Sequence, residues 1–228
     1  MSSRRTLNQT EGSKNPATKF LKWKSNDKSF SYYDKAKAEN VEVPLPFKFQ
    51  FLEHFHTIKG WNDASESGVY SNEVKFISKE TLKVRSFKGG DIAEGLYTDI
   101  RGNIRDAGGK YFRSVYVISD EGEIINLQFK GAVVSAYSDF MSEHENQVEG
   151  SWIVINKAED KKKGATKYSV PIFEIGKAFT KDEMALADEK YQDIVAYFDK
   201  YTSKDVKEIE VDVDTGTLDM ASEVDLDF

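Results

Sequence analysis

The sequence contains no cysteine among its 228 residues. This excludes a thiol nucleophile, cysteine-ligated zinc, an iron–sulfur cluster and a disulfide framework. There are four prolines. No stretch of the sequence approaches the roughly 18 apolar residues that a membrane-spanning helix needs. Two arginines near the start are not followed by the apolar segment of a secretion signal. We therefore expect no membrane association and a chain that stays in the cytoplasm where it is made.

Motifs that carry enzyme chemistry are also missing. The chain has no glycine-rich phosphate loop, dinucleotide fingerprint or nucleophile elbow. His54 and His56 are spaced to share one face of a strand, as two metal ligands would be. The remaining histidine, His144, is distant in sequence, so we expect ordinary structural roles and no metal site. The sequence therefore predicts a protein that is not an enzyme and needs no cofactor.

Charge is divided unevenly along the chain. The whole chain has a net charge of -7, yet residues 1–177 hold 27 Lys and Arg against 24 acids. Residues 178–228 hold 5 against 15, and from residue 208 onward there are eight acids and no Lys or Arg. We expect residues 207–228 to form a disordered acidic tail. Such a run can be a solvated end and nothing more, or a segment that interacts.

The hydrophobic pattern predicts a mainly β protein. Apolar and polar residues alternate over residues 47–52, and similar strand-like runs follow at 69–78, 81–87, 110–119, 123–130, 151–157 and 167–175. Helical spacing begins at Ala132 and again after Thr180, which forms a capping box with Glu183. This order favours a small Greek-key barrel over a doubly wound sheet.

We divide the chain into four parts. Residues 1–43 are interpreted as a basic and aromatic arm, 44–178 as the barrel, 179–206 as a C-terminal helix and 207–228 as the tail. Within the barrel, residues 88–110 are rich in glycine and basic side chains. We expect them to form a long binding loop, because loops on rigid strands often carry binding residues.

Basic residues interleaved with aromatic ones give the main functional signal. Phosphates of a single strand attract Lys and Arg, while unpaired bases stack on flat side chains. The stacking candidates are Trp61, Phe76, Phe87, Phe112 and Tyr116, and the phosphate candidates are Lys75, Lys83, Arg85, Arg101, Arg105, Lys110 and Arg113. One face of each strand must be core, so at most half of the aromatic residues can contact a ligand. For any single aromatic residue, core packing is the more frequent role.

With its tail, the chain resembles a bacteriophage single-stranded DNA-binding protein. The resemblance rests on the overall size, the basic and aromatic segments within residues 47–175, and the ending Glu-Val-Asp-Leu-Asp-Phe at 223–228. It implies an OB-fold barrel with a short internal helix, and sequence-independent binding of single-stranded DNA in phage replication, recombination and repair in the infected host's cytoplasm. It also implies that the tail competes with DNA and recruits replication proteins such as polymerase and helicase, through Asp219, Glu223, Asp225, Asp227 and Phe228.

An alternative is a non-enzymatic phage structural or assembly protein whose β-domain binds other proteins. It accounts for the strands and aromatic residues, but not for basic residues gathered early in the chain and an acidic end. The sequence leaves open whether the protein forms a homo-oligomer and whether it prefers DNA or RNA.

Overall fold

A computed structural model describes residues 15–203, which contain eleven strands and three helices. The prediction of a mainly β protein is confirmed. The elements are β1 (Lys19–Lys24), β2 (Ser29–Asp34), β3 (Glu39–Val43), β4 (Phe47–Asn62), β5 (Ser67–Ser71), β6 (Leu82–Ser86), β7 (Gly90–Gly95), α1 (Tyr97–Asp106), β8 (Gly109–Ser119), β9 (Ile124–Phe129), α2 (Ala132–Glu143), β10 (Ser151–Lys163), β11 (Thr166–Ala178) and α3 (Lys181–Ser203).

The strands form one open mixed sheet, and the small Greek-key barrel that the strand pattern favoured is not confirmed. Its order is β3-β2-β1-β9-β8-β4-β5-β6-β7, while β10 pairs with β4 and β11 pairs with β10. Within the described part, β1 and β9 are the one parallel pair. The two ends of this path, β3 and β7, lie far apart in strand order.

Residues 15–43 are not an arm, which corrects the sequence-based division. They supply β1, β2 and β3, and β1 pairs in parallel with β9. Leu21 and Trp23 are buried, while the lysines that alternate with them are not. The Trp23 indole N–H donates to the carbonyl of Ser169 in β11 over 3.0 Å. The alternation of lysine with apolar residues thus marks a strand with one core-facing side.

The 16-residue strand β4 lies at the centre of the sheet. It pairs with β8 from Phe49 to Gly60, with β10 near its start and with β5 near its end. A bulge interrupts the register between Phe51 and Glu53. Because one strand runs through both halves of the sheet, its two faces continue from one half to the other.

We call the face of β8 that carries Val115 and Val117 the inner face. α2 packs over this face through Val133, Tyr137 and Phe140, and it begins at Ala132, as the helical spacing predicted. In the other half of the sheet, α1 buries the same face, and its apolar residues Ile100 and Ile104 pack on a cluster that includes Ile58, Val69, Leu82 and Val84.

The opposite face of β8, which carries Tyr116 and Ile118, is the outer face. Part of it is covered by α3, whose Ala187 and Ile194 are buried there. The predicted capping box begins this helix, because the Thr180 N–H donates to Glu183 Oε2 over 2.8 Å and the Glu183 N–H donates back to Thr180 Oγ1 over 3.3 Å. The part of the outer face beyond α3, toward β5 and β6, carries polar and aromatic side chains.

The expected loop at residues 88–110 is instead β7 followed by α1. Gly95 and Gly108 have φ values of 155° and 78°, so each adopts a backbone that favours glycine. They stand just before and just after the helix. The glycines therefore mark boundaries between elements and not one long flexible segment. No helix among residues 15–203 is long and apolar enough to cross a membrane.

Candidate nucleic-acid interface

Four residues at matched positions on neighbouring strands form a row on the outer face. Lys110 of β8 lies opposite Lys59 of β4, Lys59 lies opposite Tyr70 of β5, and Tyr70 lies opposite Arg85 of β6. Directly opposed residues of antiparallel strands project from the same face. We call Lys110, Lys59, Tyr70 and Arg85 the basic row.

The basic row places like charges side by side. Lys59 and Lys110 are directly opposed, an arrangement that destabilises a sheet. The Lys59 ammonium lies 5.5 Å from the centroid of the Phe20 ring, and the Arg85 Nε lies 2.6 Å from Asp91 Oδ1. An anion over the row would reduce the repulsion between the two lysines. The row is therefore suited to a phosphate backbone.

A second row lies beside the first, one side-chain repeat further along the strands. Trp61 is paired with Gly68, and the Phe87 N–H donates to the Gly68 carbonyl over 3.0 Å. The Phe87 side chain is 59% exposed and Trp61 is half-buried. We call Trp61, Gly68 and Phe87 the aromatic row. Its separation from the basic row is two residues of strand, about 7 Å, which is a suitable distance for contacting the bases and the phosphates of one strand.

These rows bring together four of the residues that the sequence singled out: Trp61, Phe87, Arg85 and Lys110. Lys83 lies two residues before Arg85 in β6 and shares its face by alternation. Its ammonium lies 3.5 Å from a carboxylate oxygen of Glu94. Lys83 can therefore extend the positive surface only in part.

Phe112 and Tyr116 are core residues, which corrects their assignment as stacking platforms. Phe112 is 8% exposed and Tyr116 is fully buried. The Tyr116 hydroxyl donates to Glu73 Oε2 over 2.8 Å, and burial raises its pKa well above the ordinary value. Neither ring presents a face to a base while the protein is folded.

The other candidates lie away from the two rows. Arg101 and Arg105 are exposed on α1, which covers the inner face. Lys75 forms an ion pair with Glu53, and Phe76, 54% exposed, lies between β5 and β6. Arg113 points to the inner face, opposite His56. None of these belongs to the basic or the aromatic row.

His54 and His56 are part of a buried polar network. His56 Nε2 lies 3.1 Å from a guanidinium nitrogen of Arg113, and its Nδ1 lies 2.6 Å from the Tyr111 hydroxyl. Arginine can only donate, so His56 Nε2 accepts and cannot also bind a metal. Among the described residues no group of three or more His, Cys, Asp or Glu is placed to hold a metal ion.

Acid should destabilise the fold through these two histidines. Burial, followed by the charge of Arg113, lowers the pKa of His54 to about 4 and that of His56 to about 3. Unfolded histidine has a pKa of about 6.5, so the unfolded state takes up protons first as the pH falls. We expect the urea concentration at the unfolding midpoint to decrease as the pH is lowered from about 7 to about 5, a range in which most carboxylates do not yet titrate. The midpoint of His56→Gln should decrease less over the same pH range. If the midpoints of the wild type and of His56→Gln depended equally on pH, the assignment of this effect to His56 would be wrong.

The phosphate candidates omit one lysine of the basic row and a group of lysines elsewhere. The first, Lys59, belongs to the basic and aromatic stretch Lys59-Gly60-Trp61, but its importance comes from the register that places it opposite Lys110. The group lies on the exposed end of the β10–β11 hairpin, at Lys157, Lys161, Lys162, Lys163 and Lys167. Three consecutive lysines before Gly164, which has a φ of 59°, were a usable signal for a basic hairpin tip.

The five tail positions, Asp219, Glu223, Asp225, Asp227 and Phe228, lie outside the described residues. Comparison with known proteins gives no family for this chain. No family model matches it, and neither a curated protein nor a solved structure does.

Proposed function

We propose that this chain binds single-stranded DNA without sequence preference through the outer face of its sheet, as a non-catalytic protein of phage replication, recombination or repair. The observation that carries the proposal is the placement of the basic row directly beside the aromatic row on one surface. Cations for phosphates beside flat rings for bases are the combination that single-strand binding requires.

The topology supports an OB-fold as the centre of this sheet. An OB-fold is a partly open five-stranded Greek-key barrel that binds oligonucleotides on strands 2 and 3 and on the loops joining strands 1–2 and 4–5. In this chain β4, β8, β9, β10 and β11 would be strands 1 to 5, since β4 pairs with both β8 and β10. Both rows then lie on strands 1 and 2 and on the insertion between them. The lysine-rich hairpin is the 4–5 loop.

The division of charge supports a role for the acidic tail. The described sheet carries the basic row, while residues 208–228 hold eight acids and no base. Carboxylates tethered to the protein can occupy a cationic surface at high effective concentration. We propose that the tail competes with DNA for the basic row, and that DNA binding frees Phe228 and its acidic neighbours to recruit polymerase or helicase.

Salt-dependent binding of a single strand tests the proposed function. Fluorescence anisotropy with labelled oligo-dT, oligo-rU and a matched duplex should show tighter binding to the single strands than to the duplex. Lys59 and Lys110, at about 0.7 per phosphate contact, give a slope of log affinity against log salt with a magnitude of at least about 1.4, and Arg85 adds to it where a phosphate displaces Asp91. A protein ending at Lys207 should bind more tightly than the full chain.

Two outcomes would contradict the proposal. Affinity that does not depend on salt would exclude phosphate contacts by the basic row. Absence of binding to all three nucleic acids, by both the full chain and the protein ending at Lys207, would favour the alternative of an assembly protein that binds other proteins.

A further inference from the structure

Gly68 lies in strand β5 at a position that has room for a side chain. The register is regular on both sides of it, with no bulge between β4 and β5 or between β5 and β6. Its φ lies outside the left-handed region, and an added Cβ would meet only the Gly60 carbonyl oxygen, at 3.9 Å. A strand glycine weakens a sheet and usually marks a bulge, a sharp bend, or the close approach of a backbone or ligand. The regular register argues against a bulge, and the open space argues against close backbone packing and leaves room for a ligand.

The two neighbours of Gly68 on the outer face are both aromatic. Trp61 lies opposite Gly68 on β4, and Phe87, the residue directly after β6, donates its N–H to the Gly68 carbonyl on the other side. Adjacent strands lie about 4.8 Å apart, so the Cα atoms of Trp61 and Phe87 are separated by roughly 10 Å. With no side chain at Gly68, the space between the two rings has only backbone as its floor.

The spacing of these two positions can accommodate one planar ring between the side chains. Atoms in van der Waals contact are about 3.5 to 4 Å apart, so two rings that enclose a third are about 7 to 8 Å apart. Side chains whose Cα atoms are about 10 Å apart reach that spacing by small changes of rotamer. The neighbouring lysines and Arg85 lie one side-chain repeat away, where the phosphate of the same nucleotide would be.

We propose that the gap over Gly68 binds one unpaired base, stacked between Trp61 and Phe87. This inference rests on the proposed function and names the position where a base is held. A base within a duplex is already stacked and paired, so it cannot enter the gap without leaving the helix. The gap over Gly68, which we call the slot, therefore selects single strands, whereas the basic row attracts any nucleic acid.

The fluorescence of Trp61 can report directly on binding in the slot. Trp23 and Trp152 are buried, and their indole N–H groups donate to Ser169 and Glu183. Trp61 is the one tryptophan of the three that is partly exposed. Quenching of tryptophan fluorescence by oligo-dT should therefore come from Trp61, and Trp61→Phe should remove most of that quenching.

Gly68→Val in the full-length protein tests the slot by filling it. The added Cβ makes only an ordinary contact and valine favours strands, so the variant should fold at least as well as the wild type. We expect its affinity for oligo-dT to fall by about 5- to 150-fold, the range expected for losing the stacking of one base. Its salt slope should remain unchanged. Gly102→Val on α1, where a Cβ meets nothing within 4 Å, is the matched control and should bind as the wild type does.

A probe without bases separates the slot from the phosphate contacts. The wild type should bind oligo-dT more tightly than an abasic strand of equal length, and Gly68→Val should lose much of that preference. If the wild type binds oligo-dT with the expected salt slope but Gly68→Val binds equally well, the slot is wrong and the proposed function stands. If the wild type binds neither strand, both proposals fail.

Discussion

Replacing Lys59 and Lys110 together by glutamate should reduce the affinity for oligo-dT by at least about 100-fold at roughly 50 mM salt. The two lysines are directly opposed on the outer face and adjoin Tyr70 and Arg85. Two added carboxylates would repel the phosphates that the lysines attract. The milder Lys59→Gln, Lys110→Gln protein should lower the magnitude of the salt slope by about 1.4, since two phosphate contacts are lost.

The matched control reverses two charges on the other side of the sheet. Arg101→Glu with Arg105→Glu changes the net charge by the same amount, but both residues lie on α1, which covers the inner face. We expect this protein to lose only the few-fold that a general reduction of positive potential causes. If the two double variants lose affinity equally, binding follows net charge alone and the outer face is not the interface.

The parts of the fold that the sequence predicted depend on local signals. The strand from Phe47, the helix from Ala132 and the capping box at Thr180 follow directly from periodicity and capping. The hairpin between β8 and β9 could also be predicted, because residues 120–122 form a short turn, in which Gly122 has a φ of 80°. Local pattern is sufficient where neighbouring residues set the structure.

The parts that it missed depend on partners distant in sequence. β1 is held by parallel pairing with β9, about a hundred residues later, and its mixture of lysines and aromatic residues suggested a basic arm. In α1, Gly102 and four charged residues dilute the helical spacing of Ile100 and Ile104. That helix forms because its two isoleucines are buried against the sheet, so tertiary packing outweighs weak propensity.

The site could be predicted in composition but not in placement. The sequence identified a mixture of cations and rings, and Trp61, Phe87, Arg85 and Lys110 do share one surface. Lys110, Phe112 and Tyr116 lie on the same face of β8, and the sequence could not show which part of that face is covered. Packing against elements distant in the chain, such as α3 over Tyr116, separates the buried residues from Lys110.

Tyr116→Ala should reduce the free energy of unfolding by about 3 to 5 kcal/mol, the usual cost of truncating a large buried ring. Tyr116 is fully buried. Its ring makes edge contacts with Phe55 and Phe198, with centroids 5.8 Å away in both cases. Tyr116→Phe would retain these contacts but remove the hydrogen bond to Glu73, at a cost of about 1 to 3 kcal/mol. Urea unfolding followed by circular dichroism measures both changes.

The same variants distinguish a core ring from a base-stacking ring. Tyr116→Phe should bind oligo-dT as the wild type does once it is folded, because its ring never meets the DNA. Phe87→Ala should show the opposite behaviour. Its free energy of unfolding should change by no more than about 0.5 kcal/mol, while its binding free energy for oligo-dT should become less favourable by about 1 to 3 kcal/mol. The Phe87 ring is largely exposed at the edge of the slot. In free Phe87→Ala, solvent fills the place of the ring, so stability changes little. In the complex with DNA, the base loses the ring on which it would stack. If instead Tyr116→Phe lowered affinity and Phe87→Ala lowered stability, the assignment of Tyr116 to the core and of Phe87 to the DNA interface would be wrong.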